Sequence, residues 1–328
     1  MADRRATAYE AAVMHYVHGD TMDTIARRLG TSRSTVSRLI AEARDQGMVT
    51  FSLNPPRELV TSLGARLERR WGIAVHVVPV PFGANEARRL SAVSSIAGIV
   101  LGDLVTPGMV LGVAWGNTVS VVADHLVKKP AAGSVVVQLN GAANPSTTGI
   151  PYAGAIMEAF GEAHGSSVQH FPVPAFFDFS STREAMWRER SISVVRDIQA
   201  RVDLAIFGVG AMAGANPSQV YSGGYFTPSE LAELEAEGVV GDVCTVLLRA
   251  DGSWEDLAMN QRATGPTPVE LRRIPRRVCV VSGTEKVAPL LAALLAETVT
   301  DLVIDEDSAA LLLEASGEAP DDGADQPS

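Results

Sequence analysis

Hydrophobic spacing changes character at about residue 72. Before that point apolar residues recur at helical intervals. After it, short β-rich runs alternate with helical stretches. The stretch Asp20–Arg44 reads DTMDTIARRLGTSRSTVSRLIAEAR. Met22, Ile25, Ala26 and Leu29 fall at i, i+3, i+4, i+7, which predicts one face of a short helix. Asp20 or Thr21 caps its start, and Gly30 stands where a left-handed C-terminal residue is wanted. Thr31 or Ser32 opens a second helix, in which Val36, Leu39, Ile40 and Ala43 repeat the spacing and pack on the first. This is a helix-turn-helix pattern. YEAAVMHYV ahead of it predicts a supporting helix with Tyr9, Ala12, Val13 and Tyr16 inward. Met48–Leu53 behind it alternates as a short strand, a wing, and Asn54-Pro55-Pro56 ends that strand. Arg57–Trp71 is a further helix whose Leu59, Leu63 and Leu67 form one row, either a subunit contact or a docking face on the larger domain.

From Ile73 onward, apolar runs at 74–80, 109–113, 134–139, 167–173, 203–208, 243–248, 277–281 and 299–304 predict strands. Helical stretches at about 85–104, 117–127, 150–164, 188–200, 229–237, 284–296 and 306–315 lie between them. The alternation predicts a mostly parallel sheet covered on both faces. Such sheets bind ligands outside the C-terminal ends of their strands.

Composition narrows the class. With 328 residues, 46% of them hydrophobic, the chain can build one large domain plus a small one. Cys244 and Cys279 lack metal-ligand spacing and read as core thiols of a cytoplasmic protein, so no metal is expected. The N-terminus carries no secretory pattern. The longest apolar run, near 287–299, is broken by Pro289 and Glu297 and is too short for a bilayer, so no membrane partner is expected. The net charge of −11 is unevenly spread: residues 1–50 carry seven arginines against six carboxylates, so the acidity lies in the body. A near-neutral head with clustered arginines can meet DNA while the acidic body stays off the phosphates.

The outward face of the second helix shows Arg33, Ser34, Ser37 and Arg38, flanked by Thr31 and Thr35. Guanidinium forks and hydroxyls suit guanine edges and phosphates. In the body, Gly116, Asn117 and Thr118 follow the strand MVLGV and open a helix, where backbone N–H groups and the positive helix end attract an anion. Gln138, Asn140 and Gly141 follow the next strand and offer amides to sugar hydroxyls. Gly208 and Gly210 follow LAIF; Asp242 precedes another strand and can accept from a hydroxyl. In SGTEK, Lys286 can stand over a phosphate. Each loop alone is also what an ordinary strand-to-helix turn looks like. Four on one sheet point to a polar, phosphate-accepting pocket. Trp115 either narrows it or stacks on a sugar face.

These motifs resemble the SorC family of sugar-responsive bacterial transcriptional regulators, over the whole chain to about residue 315. MHYVHGDTMDTIARRLGTSRSTVSRLIAEARDQGMV matches the family's DNA-binding pattern, and GVAWGNTV, VVQLNGA, VDLAIFGVGAM, GVVGDV and VVSGTEKV match its effector domain in order. The resemblance implies an α/β protein: a winged helix-turn-helix head, then a Rossmann-like domain of the glucosamine-6-phosphate deaminase, ribose-5-phosphate isomerase and CoA-transferase kind. It implies operator DNA as partner, a homodimer or homotetramer, no cofactor, and a sugar, polyol or sugar-phosphate effector. It puts the phosphate-loop role on Gly116, Asn117 and Thr118 and the basic helix-start position on Lys286. Some relatives carry a Lys where Asn140 stands, so capture of an aldehyde sugar as a Schiff base is not expected here. The expected organisation is 1–54 DNA-binding domain, 55–72 linker helix, 73–315 effector and oligomerisation domain, and 316–328 disordered acidic tail. Two other readings stand beside regulation: a sugar-phosphate isomerase or deaminase with an appended head, and a DNA-associated scaffold without a ligand. Against the enzyme, Asp242 has no obvious partner and the pocket loops carry no His, so no catalytic residue is assigned.

Overall fold

Alanines set the packing of the N-terminal helices. In the computed structural model, which describes residues 2–45, 47–49, 62–81, 83–214 and 218–317, Ala8, Ala11 and Ala12 of α1 (Ala2–Tyr16) are buried. They pack with Ile25 and Ala26 of α2 (Met22–Arg28) and Val36, Leu39, Ile40 and Ala43 of α3 (Arg33–Asp45) into one small core. The expected inward face of α1 is corrected: Tyr9 is 57% exposed. The helix starts well before Tyr9, and side chains as small as alanine allow the close crossing with α3. Thr21, not Asp20, caps α2 by accepting from the Thr24 amide at 3.3 Å. Gly30 takes φ +61°, as the turn requires. Ser32, not Thr31, caps α3, accepting from the Thr35 amide at 3.2 Å. Met48 and Val49 are not in a strand and pack on this core. The remainder of the wing, the linker prolines, Leu59 and the tail beyond Gly317 lie outside the described residues.

The chain divides into two compact units, Met1–Pro56 and Arg57–Ser328. The second opens with α4 (Ser62–Trp71), whose Leu67 is buried in its own unit's core, with Leu63 partly buried beside it. There follow β1 (Ala74–Val78), α5 (Glu86–Leu104), β2 (Val110–Val113), α6 (Asn117–Asp124), β3 (Val135–Gln138), α7 (Ile150–His164), β4 (Ser167–Gln169), α8 (Ser180–Trp187) and α9 (Arg190–Gln199). Then come β5 (Leu204–Phe207), β6 (Val209–Ala211), α10 (Gln219–Ser222), α11 (Pro228–Ala236), β7 (Val239–Val243) and β8 (Val246–Arg249). The chain continues through α12 (Pro268–Arg272), β9 (Arg276–Val281), a 3-10 turn at Thr284–Lys286, α13 (Val287–Leu295), β10 (Asp301–Asp305) and α14 (Glu306–Ala315).

Seven strands form one parallel sheet in the order β1-β10-β9-β5-β2-β3-β4. Period-2 alternation sends neighbours to opposite faces. Leu204 and Ile206 of β5 join the core on one side, and Ala205 and Phe207 join the core on the other. After β2 the chain runs outward through β3 and β4. After β5 the main sheet continues on the other side through β9 and β10. The crevice between β2 and β5 is therefore a topological switch point, where open α/β sheets take their ligands.

The single strand expected at 243–248 is a hairpin: β7 and β8 pair antiparallel, with Val243 opposite Val246, and β6 joins them as a second sheet. The apolar run concealed a two-residue turn because Cys244-Thr245 is not a turn dipeptide. The segments 167–173 and 74–80 end early, at Gln169 and Val78, ahead of Pro172 and Pro79. Helices α8, α10 and α12 lie where the sequence predicted none.

Candidate functional site

On the head, α3 buries its apolar stripe and turns Arg33, Ser34, Ser37 and Arg38 to solvent, with Thr31 and Thr35 half-buried at its start. Ser32 holds both neighbours, its hydroxyl 2.9 Å from those of Ser34 and Thr35. Arg28 pairs with Asp20 at 2.9 Å, which ties the two ends of α2 together. Arg33 stands 4.0 Å from Asp23, both exposed, a contact that water screens. An exposed polar and cationic face on the second helix of such a pair is the arrangement that enters a major groove.

In the sheet domain, the loops after β9, β5, β2 and β3, four adjacent strands, close around one cavity of about 180 Å³. Gly116, Asn117, Thr118, Asn140, Gly208, Gly210, Asp242 and Lys286 all line it. The helix that Asn117 opens and the turn that ends in Lys286 meet there: the Lys286 ammonium donates to Thr118 Oγ1 at 3.0 Å. Burial lowers the Lys286 pKa, with Glu285 the largest of the charges acting to raise it. Asp305, fully buried, accepts from the Gly283 amide at 2.9 Å and from Arg89 at 2.7 Å. That network fixes the turn carrying Lys286. The cation sits among carboxylates, since Glu86, Asp242 and Glu285 also line the cavity.

Two expected ligand contacts are corrected. Gln138 does not line the cavity; its amide donates to Asn140 O at 2.7 Å and accepts from the Phe171 amide at 3.2 Å. It shapes the loop that presents Asn140. Gly141 is also outside the lining, and a Cβ there would meet the Pro174 and Val173 carbonyls, so it serves backbone packing. Gly210 lines the cavity for a different reason than expected. A Cβ on it would overlap Asp242 Oδ1, so the missing side chain makes room for that carboxylate. Asp242 lies within β7 rather than ahead of a strand. Trp115 borders the cavity but its indole N–H is held by Gly141 O at 2.7 Å and its ring stacks on Tyr225 at 5.5 Å. Its role is to pack the wall.

Sequence reasoning passed over Glu86, Ser218, Gln219, Cys244, Thr245, Ser282 and Glu285, all in the lining. Ser282 and Glu285 lay inside the SGTEK loop and were legible there. Gln219 arrives at the start of α10, and Ser218 as that helix's N-cap, with no motif to mark them.

Among the described residues, four lining side chains carry a buried oxygen without a hydrogen bond: Asn140 Oδ1, Gln219 Oε1, Asp242 Oδ1 and Ser282 Oγ. Asp242 Oδ2 accepts from the Thr245 amide at 3.0 Å. Burial pushes Asp242 up to about 6, against the downward pull of that amide. The Tyr221 hydroxyl stands within electrostatic reach of it without a geometric hydrogen bond. Unpaired buried acceptors call for donors. One end of the cavity thus offers a cation and a helix N-terminus, and its lining adds acceptors suited to hydroxyl groups. No group of His, Cys, Asp and Glu among the described residues could hold a metal ion, and no described helix is long and apolar enough to cross a membrane.

A helix-turn-helix head and a parallel α/β domain with a polar crevice at its switch point define a ligand-responsive DNA-binding protein. Comparison with known proteins agrees. The family described as "Putative sugar-binding domain" matches residues 56–314, and the MarR family matches residues 12–56. A crystallised domain of a "possible sugar-binding transcriptional regulator" from Arthrobacter aurescens TC1 is 46% identical, over 79% of this chain and 100% of that one, with a TM-score of 0.73. The deoxyribonucleoside regulator of Bacillus subtilis is 29% identical over 95% of this chain and 98% of its own length. The sorbitol operon regulator of Klebsiella pneumoniae is 26% identical over 92% of this chain and 96% of its own. The chain belongs to this sugar-binding-domain family, that of the SorC-type transcriptional regulators.

Proposed function

We propose that this regulator controls a carbohydrate-catabolic operon and that its effector is a phosphorylated sugar or polyol. The observation that carries the reading is the 3.0 Å contact between Lys286 and Thr118, which brings a cation and the first turn of α6 into one cavity. A phosphate there meets unpaired N–H groups, the positive end of the helix dipole and the ammonium together. The orphan acceptors at Asn140, Gln219, Asp242 and Ser282 then receive hydroxyl protons from the rest of the ligand. Arg33, Ser34, Ser37 and Arg38, with Thr31 and Thr35, read the operator. The sheet domain assembles the protein as a homodimer or homotetramer in the cytoplasm, so that paired heads meet paired half-sites.

Calorimetry with matched sugar and sugar-phosphate pairs tests the effector. The phosphate form is expected to bind far more tightly, and Lys286→Ala is expected to remove most of that difference while operator binding persists. Equal affinity for both forms, with Lys286→Ala neutral, would overturn the phosphate half of the reading.

A second reading, sugar-phosphate isomerisation, is favoured by one feature: burial pushes the Asp242 carboxyl up to about 6 in the cavity that holds Lys286. Perturbed groups of that kind also serve acid–base catalysis. Proton exchange at carbons next to the carbonyl, followed by NMR on ribose 5-phosphate, decides between them; a regulator leaves the spectrum unchanged.

A further inference from the structure

The turn between β7 and β8 has an unusual residue pair. Two-residue hairpin loops with both central residues at positive φ favour Asn-Gly, because only residues without a crowded Cβ enter that region readily. Here the two residues are Cys244 at φ +51° and Thr245 at φ +70°. Among the described residues only Glu297 joins them as a non-glycine at positive φ. For β-branched Thr245 the conformation is a true outlier.

The surroundings hold it there from three sides. Asp242 Oδ2 accepts from the Thr245 amide at 3.0 Å. Thr245 Oγ1 donates to Cys244 O at 2.5 Å. Gly265 lies so close that a Cβ on it would overlap Cys244 O. Strain kept by that much support tends to sit at functional sites. Both residues line the cavity, 5% and 1% exposed. With its proton committed to Cys244 O, the Thr245 hydroxyl keeps only acceptor capacity in a cavity wall that also carries the orphan oxygens of Asp242 and Asn140.

We propose that Cys244 and Thr245 are specificity-determining residues of the effector pocket, held in a strained turn so that their side chains read the hydroxyl-bearing part of the ligand. This rests on the phosphorylated-effector reading above and assigns the other end of the ligand. Asn-Gly at these positions relieves the backbone and replaces both side chains; Thr245→Val keeps the branched shape and removes the hydroxyl together with its bond to Cys244 O.

The test uses the full-length protein, with inorganic phosphate and a series of four- to six-carbon polyol phosphates as probes in calorimetry, alongside thermal melting. The Cys244→Asn/Thr245→Gly double variant is expected to melt no lower than the parent and to bind inorganic phosphate as the parent does. Its affinity for the best polyol phosphate falls about tenfold, the size of one lost well-placed contact, and its ranking of the series flattens. Thr245→Val loses part of that affinity and, having given up the bond to Cys244 O, melts modestly lower than the parent. An unchanged ranking in the double variant, a parent that does not rank the series, or a double variant that melts several degrees lower each overturns the proposal. A parent that binds neither inorganic phosphate nor any polyol phosphate overturns the effector reading beneath it as well.

Discussion

The head and the sheet domain are built on opposite principles. Among the described residues, the head's core draws on nine buried ones between Ala8 and Ala43, joined by short connections. The face proposed to read the operator lies on the solvent side of one helix. The cavity proposed to take the effector draws on residues from Glu86 to Lys286, carried by loops of four adjacent strands, by the starts of α5 and α10 and by a second sheet. A locally assembled binding face depends on the stability of its few helices. A cavity assembled from distant segments depends on the whole sheet. The two activities should therefore fail separately.

Removing Ile25 is the strongest way to break that separation. Its side chain is fully buried at the centre of the head, and Ile25→Ala in a core is expected to cost about 2–5 kcal/mol. So small a core has little reserve. Operator binding is expected to vanish, while effector calorimetry and the melting of the sheet domain stay as in the parent. A common shift of both transitions in scanning calorimetry would show that the head and the sheet domain fold as one.

That asymmetry also explains what the sequence made legible. Ile25, Val36 and Gly30 announce a helix-turn-helix because every relevant neighbour lies within one or two turns of chain. The parallel sheet was legible in the same way, as alternation of runs such as LAIF with helices. The cavity was legible only where a motif marks a strand end, as at Asn117 and Lys286. Glu86 and Gln219 reach it through tertiary packing that no spacing records. Gln138 misled because an amide just before a strand-end loop looks like a ligand contact, yet its bonds to Asn140 O and the Phe171 amide turn it to the loop itself. The β7–β8 hairpin was missed for a chemical reason: its turn uses Cys and Thr where turn chemistry expects Asn and Gly.

A smaller effect sharpens the comparison on the head's side. Arg38 is exposed on α3 and its removal leaves the core intact. Arg38→Ala should weaken operator binding by about 1–3 kcal/mol, the range for one base-reading arginine. Fluorescence anisotropy at fixed salt measures it, with effector affinity as the control. Arg33→Ala should act similarly, since its contact with Asp23 is long and exposed. Unchanged operator affinity in both variants would mean that another face meets the DNA.

An effect of similar size lies in the cavity and carries a sign. Asp242 is raised by burial from 3.8 to about 6 in the folded protein. Between those values the folded state holds a proton that the unfolded state has released, so stability falls as pH rises through that window. Above it, the folded protein carries a buried carboxylate whose Oδ1 has no partner. Asp242→Asn keeps an oxygen for the Thr245 amide and removes the charge. Relative to the parent, the variant should gain about 3 kcal/mol near pH 7.5 and lose that advantage near pH 4, an order-of-magnitude conversion of the shift. It should also bind the effector less well, because a charged acceptor for hydroxyls has been replaced by a neutral one. Urea unfolding at the two pH values, paired with calorimetry, reads both effects. A variant that is less stable than the parent at pH 7.5 would mean that the carboxylate holds the Cys244–Thr245 turn more firmly than its burial costs.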